Sequence, residues 1–153
     1  LPRDAQQAVT MTAQQAQADG ASSAAIAEAA NPAAPVTVQA SVSVMFDLLY
    51  EPDGYKRVIE LGEQLADTPA SSMVTYWFYL AAAYGQLMAA AQAENAVDKA
   101  ADARRRALAA AARAIQISPT YKSRLWQISN PDSIDNDLAS LRDDPAFRKL
   151  VGR

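Results

Sequence analysis

Trp77, Leu80, Ala81 and Tyr84 follow one another at offsets of three, one and three residues. At 3.6 residues per turn, those offsets line one side of an α-helix. A stripe of this kind predicts a helix covered by a neighbour rather than a strand or loop. Ala107, Ala111 and Ala114 then recur at helical spacing, with Pro119 five residues on. Small residues let two helix axes approach closely, and the proline punctuates the end of the second helix. Thirty-five residues before Trp77 the offsets repeat in Val42, Met45, Phe46 and Leu49. Glu51-Pro52-Asp53-Gly54 is turn chemistry. Tyr55, Val58, Ile59, Gly62 and Leu65 then make a second apolar face ending near Thr68-Pro69. Two helical hairpins are predicted.

The patterns W-x2-L-[AG]-x2-Y and A-x3-[large apolar]-x2-A-x4-P resemble the two helices of a tetratricopeptide (TPR) repeat, whose period is about 34 residues. Under that resemblance Val42, Met45, Phe46 and Leu49 occupy the places of Trp77, Leu80, Ala81 and Tyr84. Val58, Gly62 and Leu65 match Ala107, Ala111 and Ala114. The second hairpin departs from the family: Ala111 stands where a larger residue is usual, and the span from Trp77 to Pro119 is about 14 residues too long. Two added heptads would lengthen both helices while keeping their faces. The join is expected at Glu94-Asn95-Ala96-Val97, with Asp98 capping the next helix. With no Gly or Pro there, a single helix from Ser72 to Ile117, about 70 Å long, is the alternative. Residues 137–147 read D-L-x-x-L-R-x-D-P-x-F and resemble the ending of bacterial TPR arrays, with Leu138, Leu141, Phe147 and Leu150 sealing the open apolar edge.

The resemblance covers about residues 42–151. It implies an all-α fold, a TPR-like stack of antiparallel helix hairpins (a right-handed α–α superhelix) with a helical C-terminal cap. It also implies a scaffold or adaptor that holds a peptide or helix of another protein on its concave face. Transferred residue by residue, that face comprises Ser43, Asp47, Tyr50, Thr75, Phe78, Ala82 and Gln86, with Tyr50 and Phe78 as anchors. Trp77 and Tyr84 fall at buried family positions.

Outside the hairpins the punctuation predicts further helices. Residues 1–36 form an Ala- and Gln-rich arm, with helices expected from Asp4 to Asp19 and from Ser22 or Ser23 to Asn31. Residues 37–151 form the helical domain. Val36–Val44 alternates as a strand would, but its continuation reads as helix. Ser118-Pro119 is expected to open a helix through Ile128, Ser133 one to Leu141, and Asp144-Pro145 one from Ala146 to Val151.

Chemistry is poorly represented. There is no His and no Cys, which removes the usual general base, the thiolate nucleophile and the commonest metal ligands. Glu60 and Glu63 share a helix with Lys56 and Arg57 and read as a solvated face. Asp143 and Asp144 read as caps. Asp132, Asp135 and Asp137 lack the Gly and distal Glu of a calcium loop. No enzyme activity, metal or cofactor is expected. A net charge of −3 argues against nucleic acid, and no apolar run is long enough to span a membrane. Lys99, Arg106 and Arg113, flanked by Arg104 and Arg105, form a basic stripe read as an ion-paired outer face. The Ala-rich pair 72–117 offers an alternative function, a structural homodimer. The Met-less, Ala/Gln-rich start resembles the mature end of a bacterial exported protein, which leans toward the periplasm or secretion over the cytoplasm without fixing it.

Overall fold

A computed structural model describes residues 36–153. The helices expected before residue 36 lie outside the described residues. Among them every regular element is helical, with no strand. The order is α1 (Val36–Leu48), α2 (Gly54–Leu65), a 3-10 turn (Pro69–Ser72), α3 (Val74–Ala93), α4 (Val97–Ile117), α5 (Tyr121–Gln127), a 3-10 turn (Ala139–Leu141) and α6 (Pro145–Val151).

The strand-like alternation of Val36–Val44 is overridden. That segment is helical and buries Val42, Met45 and Leu48. β-Branched residues disfavour helix by only tenths of a kcal/mol each, less than burying one side against neighbours gains. The buried side is rotated from the expected one: Leu48 takes part in it, and Phe46 is exposed. The turn into α2 places Asp53 at a φ of 57°, a left-handed conformation that Asp tolerates.

The long pair is two helices, not one rod. Asn95 sits at a φ of 57°. The Ala96 N–H donates to Ala91 O at 2.8 Å and the Asn95 N–H to Gln92 O at 3.1 Å. These are the two bonds of a Schellman stop, which Asn supports nearly as well as Gly. Asp98 is not the cap; Ala96 holds that position without a side-chain bond, and Asp98 lies in the first turn, where its charge favours the helix dipole.

α3 and α4 run antiparallel: Arg113 lies over the Trp77 ring and Arg106 over the Tyr84 ring. The stripe Ala103, Ala107, Ala110, Ala111 and Ala114 is buried, so the small faces close this pair within the chain. α1 and α3 run in the same sense, since Phe46 meets Tyr79 while Leu49 O accepts from Gln86 further along both helices.

The C-terminal segment packs along the side of the pair, against Gly85 and Gln86 of α3 and Arg104 of α4. Leu138, Leu141 and Phe147 are fully buried, and Leu150 is half-buried. Asp144 caps α6 through its Ala146 and Phe147 N–H groups. The same carboxylate accepts from Arg104 Nε at 2.5 Å and Nη2 at 3.0 Å, tying α6 to α4. Arg104 therefore belongs to a bridge rather than to a solvated stripe. Two expected helix starts shift: Ser118-Pro119 forms a turn and α5 begins at Tyr121, while Ser133 starts no helix and leaves an open loop up to residue 138. That loop is anchored where the Leu138 N–H donates to Ile128 O at 2.9 Å.

Candidate functional site

Four consecutive aromatics, Tyr76–Tyr79, cover every side of α3. The surroundings decide which side is core. Tyr76 is 2 % exposed, and its hydroxyl donates to Gly62 O at 2.6 Å. Trp77 is only partly buried, its indole N–H donating to Ser71 O at 2.7 Å. Tyr84 is buried. The first aromatic of the run is thus the deepest, ahead of the Trp77 position that the repeat pattern marks as core.

Phe78 and Tyr79 turn to the opposite side, where a groove of about 630 Å³ opens between the end of α1, the outer side of α3 and the loop before residue 139. A row of rings runs along it, four of them in its lining and Tyr121 beyond it. Tyr50 meets Phe46 edge-on at 5.2 Å, Phe46 meets Tyr79 at 5.5 Å, Tyr79 meets Phe78 at 6.0 Å, and Phe78 meets Tyr121 at 5.2 Å. Such tilted contacts fix the rings relative to one another, and Phe46 and Tyr50 stay exposed.

The loop supplies the far wall. Tyr50 donates its hydroxyl to Asp135 Oδ1 at 2.8 Å. The Gln86 side-chain amide donates to Asp137 Oδ1 at 2.5 Å and to Leu49 O at 3.3 Å. Gly85 makes the approach possible: a Cβ there would overlap the Asp137 carbonyl oxygen and the Leu138 side chain. A lone Gly in a helix is the sequence signal for such a contact.

The electrostatics are one-sided. Glu51, Asp53, Asp135 and Asp137 line the groove, and no Lys or Arg does. Arg57 is drawn off to Glu51. Arg124 lies on the Tyr121 ring and acts on the Tyr79 hydroxyl, but stands outside the groove lining. Asp135 and Asp137 are therefore held by neutral donors. Burial pushes the Asp137 carboxyl above its ordinary value, against the Gln86 bond that lowers it. Tyr50 is pushed up to about 12, first by its bond to Asp135, then by burial and the charges of Asp135 and Asp137.

Of the seven expected site residues, Tyr50, Phe78, Ala82 and Gln86 line this groove. Ala82 is almost wholly buried and contributes backing. Ser43, Asp47 and Thr75 are not in its lining. Phe46, Tyr79, Ile134, Asp135 and Asp137 join it instead.

A second, smaller cleft lies on the Tyr76 side, lined by Trp77, Tyr84, Arg105, Arg106 and Arg113. Asp102 accepts from both Arg105 and Arg106. No group of three or more Asp, Glu, His or Cys able to hold a metal occurs among the described residues. No helix among them is long and apolar enough to cross a membrane. Compared with known proteins, the chain matches no family model, no curated protein and no solved structure.

Proposed function

We propose that this chain is a TPR-like interaction module that binds a segment of another protein in the groove between α1, α3 and the loop before residue 139. One observation carries the reading. Among the described residues the exposed large hydrophobics are Val44, Phe46, Tyr50, Val97 and Ile134, and three of the five gather on this groove, exposed by 43, 58 and 96 % in chain order. Scattered apolar residues need no explanation, but a set converging on one concavity marks a contact surface. Support for the TPR-like arrangement comes from α1 and α3 running in the same sense with α2 and α4 behind them, and from the buried C-terminal cap. Aromatic anchors beside polar groups of fixed direction are the features that hold a peptide. The poverty of acid–base and nucleophilic residues supports binding over catalysis.

The test is a photo-crosslinking amino acid placed at Ile134, with a control at exposed Gln64 on α2, in the cell that makes the protein. Adducts from position 134 that vanish on Phe46→Ala are expected. Equal adducts from both positions, or none from 134, would sink the reading.

A further inference from the structure

We propose that the occupant of the groove is a cationic segment of a partner protein, an Arg or Lys placed between Asp135 and Asp137 with a neighbouring apolar side chain on the Phe46–Tyr79 rings. The inference rests on the groove being the binding surface and adds the chemistry of what enters it.

Charge complementarity selects the occupant. The wall presents Asp135 and Asp137, and the rim adds Asp53, while Glu51 is already paired with Arg57; no cation is in the lining. Both wall carboxylates face neutral partners, Tyr50 and Gln86, so their charge is oriented but not balanced. A guanidinium or ammonium entering there would gain charge-assisted hydrogen bonds at partly desolvated carboxylates. It would also lie beside the faces of Tyr50 and Phe46, where a cation is attracted to the ring. An acidic segment would meet like charge and desolvation together.

The same argument disfavours the chain's own N-terminal segment. Before residue 36 it carries one cation, Arg3, against Asp4, Asp19 and Glu28. A second copy would offer Arg105 and Arg106, which already share Asp102, or Arg142, Arg148 and Arg153, which already lie over the Trp126 ring.

The experiment is a selection from a randomised peptide library displayed on phage, with the full chain as bait. Enriched sequences are then titrated as synthetic peptides by fluorescence anisotropy. Asp135→Asn and Asp137→Asn keep an acceptor for Tyr50 and for Gln86, and circular dichroism confirms that each variant folds. Enriched peptides are expected to carry Arg or Lys beside an aliphatic or aromatic residue. Their affinity should fall about tenfold with each Asn substitution, fall with added salt, and vanish when their cations are changed to Glu. Neutral or acidic peptides that still lose binding on Phe46→Ala would overturn the cationic assignment and leave the groove standing. Peptides that bind Phe46→Ala and Ile134→Ser as tightly as the parent, or a selection without enrichment, would remove the groove itself. Self-association in sedimentation that the two Asn substitutions abolish would make the occupant a second copy and overturn the separate partner.

Discussion

The two sides of α3 use the same residue types to different ends. On the Tyr76 side two ring tips are answered from within, the Tyr76 hydroxyl by Gly62 O and the Trp77 indole by Ser71 O, while Arg105 and Arg106 share Asp102. On the Phe78 side Phe46 and Tyr50 stay exposed, and two carboxylates rest on neutral donors. A buried aromatic with a satisfied tip is structural, because its surroundings leave nothing for a ligand to add. Aromatics beside unbalanced charge hold interaction energy in reserve.

The largest expected difference is in stability. Tyr76→Ala removes a side chain 2 % exposed and should cost about 3–5 kcal/mol by denaturant titration. Phe78→Ala, on the partly buried side, should cost about 1–2 kcal/mol while losing peptide affinity. Equal costs would erase the distinction between the two sides.

Next come two carboxylates of opposite character. Arg104 holds the Asp144 carboxyl below its ordinary value, with the α6 N–H groups adding to that. Its contribution is present above the unfolded value and lost as pH falls through the folded one. Asp137 is raised, so its contribution is present below the unfolded value and lost as pH rises through the folded one. Asp144→Asn should therefore cost about 2 kcal/mol at neutral pH and flatten the acid limb of the stability curve. Asp137→Asn should be neutral or stabilising by up to about 1 kcal/mol. A comparable loss from both would show that the groove carboxylate is structural.

Smaller still, Trp77→Phe should cost about 1 kcal/mol through the lost bond to Ser71 O, without changing peptide affinity. The smallest change belongs to the rim. Ile134→Ser should leave the unfolding midpoint unaltered, within about 0.5 kcal/mol, while weakening peptide binding. In spectrophotometric titration, Asp135→Asn should bring one tyrosine down from about 12 toward the ordinary phenol range. An unchanged titration would mean that the bond from Tyr50 to Asp135 is not formed in solution.

The scaffold was more legible than the site. Glu51-Pro52-Asp53-Gly54, Asn95 and Asp144-Pro145 stop and start helices through local backbone chemistry, and each does so in the fold. The i, i+4, i+7 alanines of α4 are buried as their spacing required. The site was only half visible. Tyr50 and Phe78 stood out as aromatics away from the apolar stripe, whereas Asp135 and Asp137 resembled an incomplete calcium loop. They reach the groove through contacts 85 and 51 residues distant in sequence. Ser133 misled as a cap because its loop is pinned by the bond from Leu138 N–H to Ile128 O, which no local pattern announces.

Sequence alone determined that this chain makes helices, where most of them break, and that its second pair is long. Those properties depend on neighbours within a turn or two, where dihedral preference and spacing act directly. Tertiary structure alone decided which of the four rings from Tyr76 to Tyr79 is buried, which side of α1 faces inward, and that an acidic loop walls an aromatic groove. A run of aromatics covers every side of a helix equally. Only the surface packed against it, brought from far along the chain, breaks that tie.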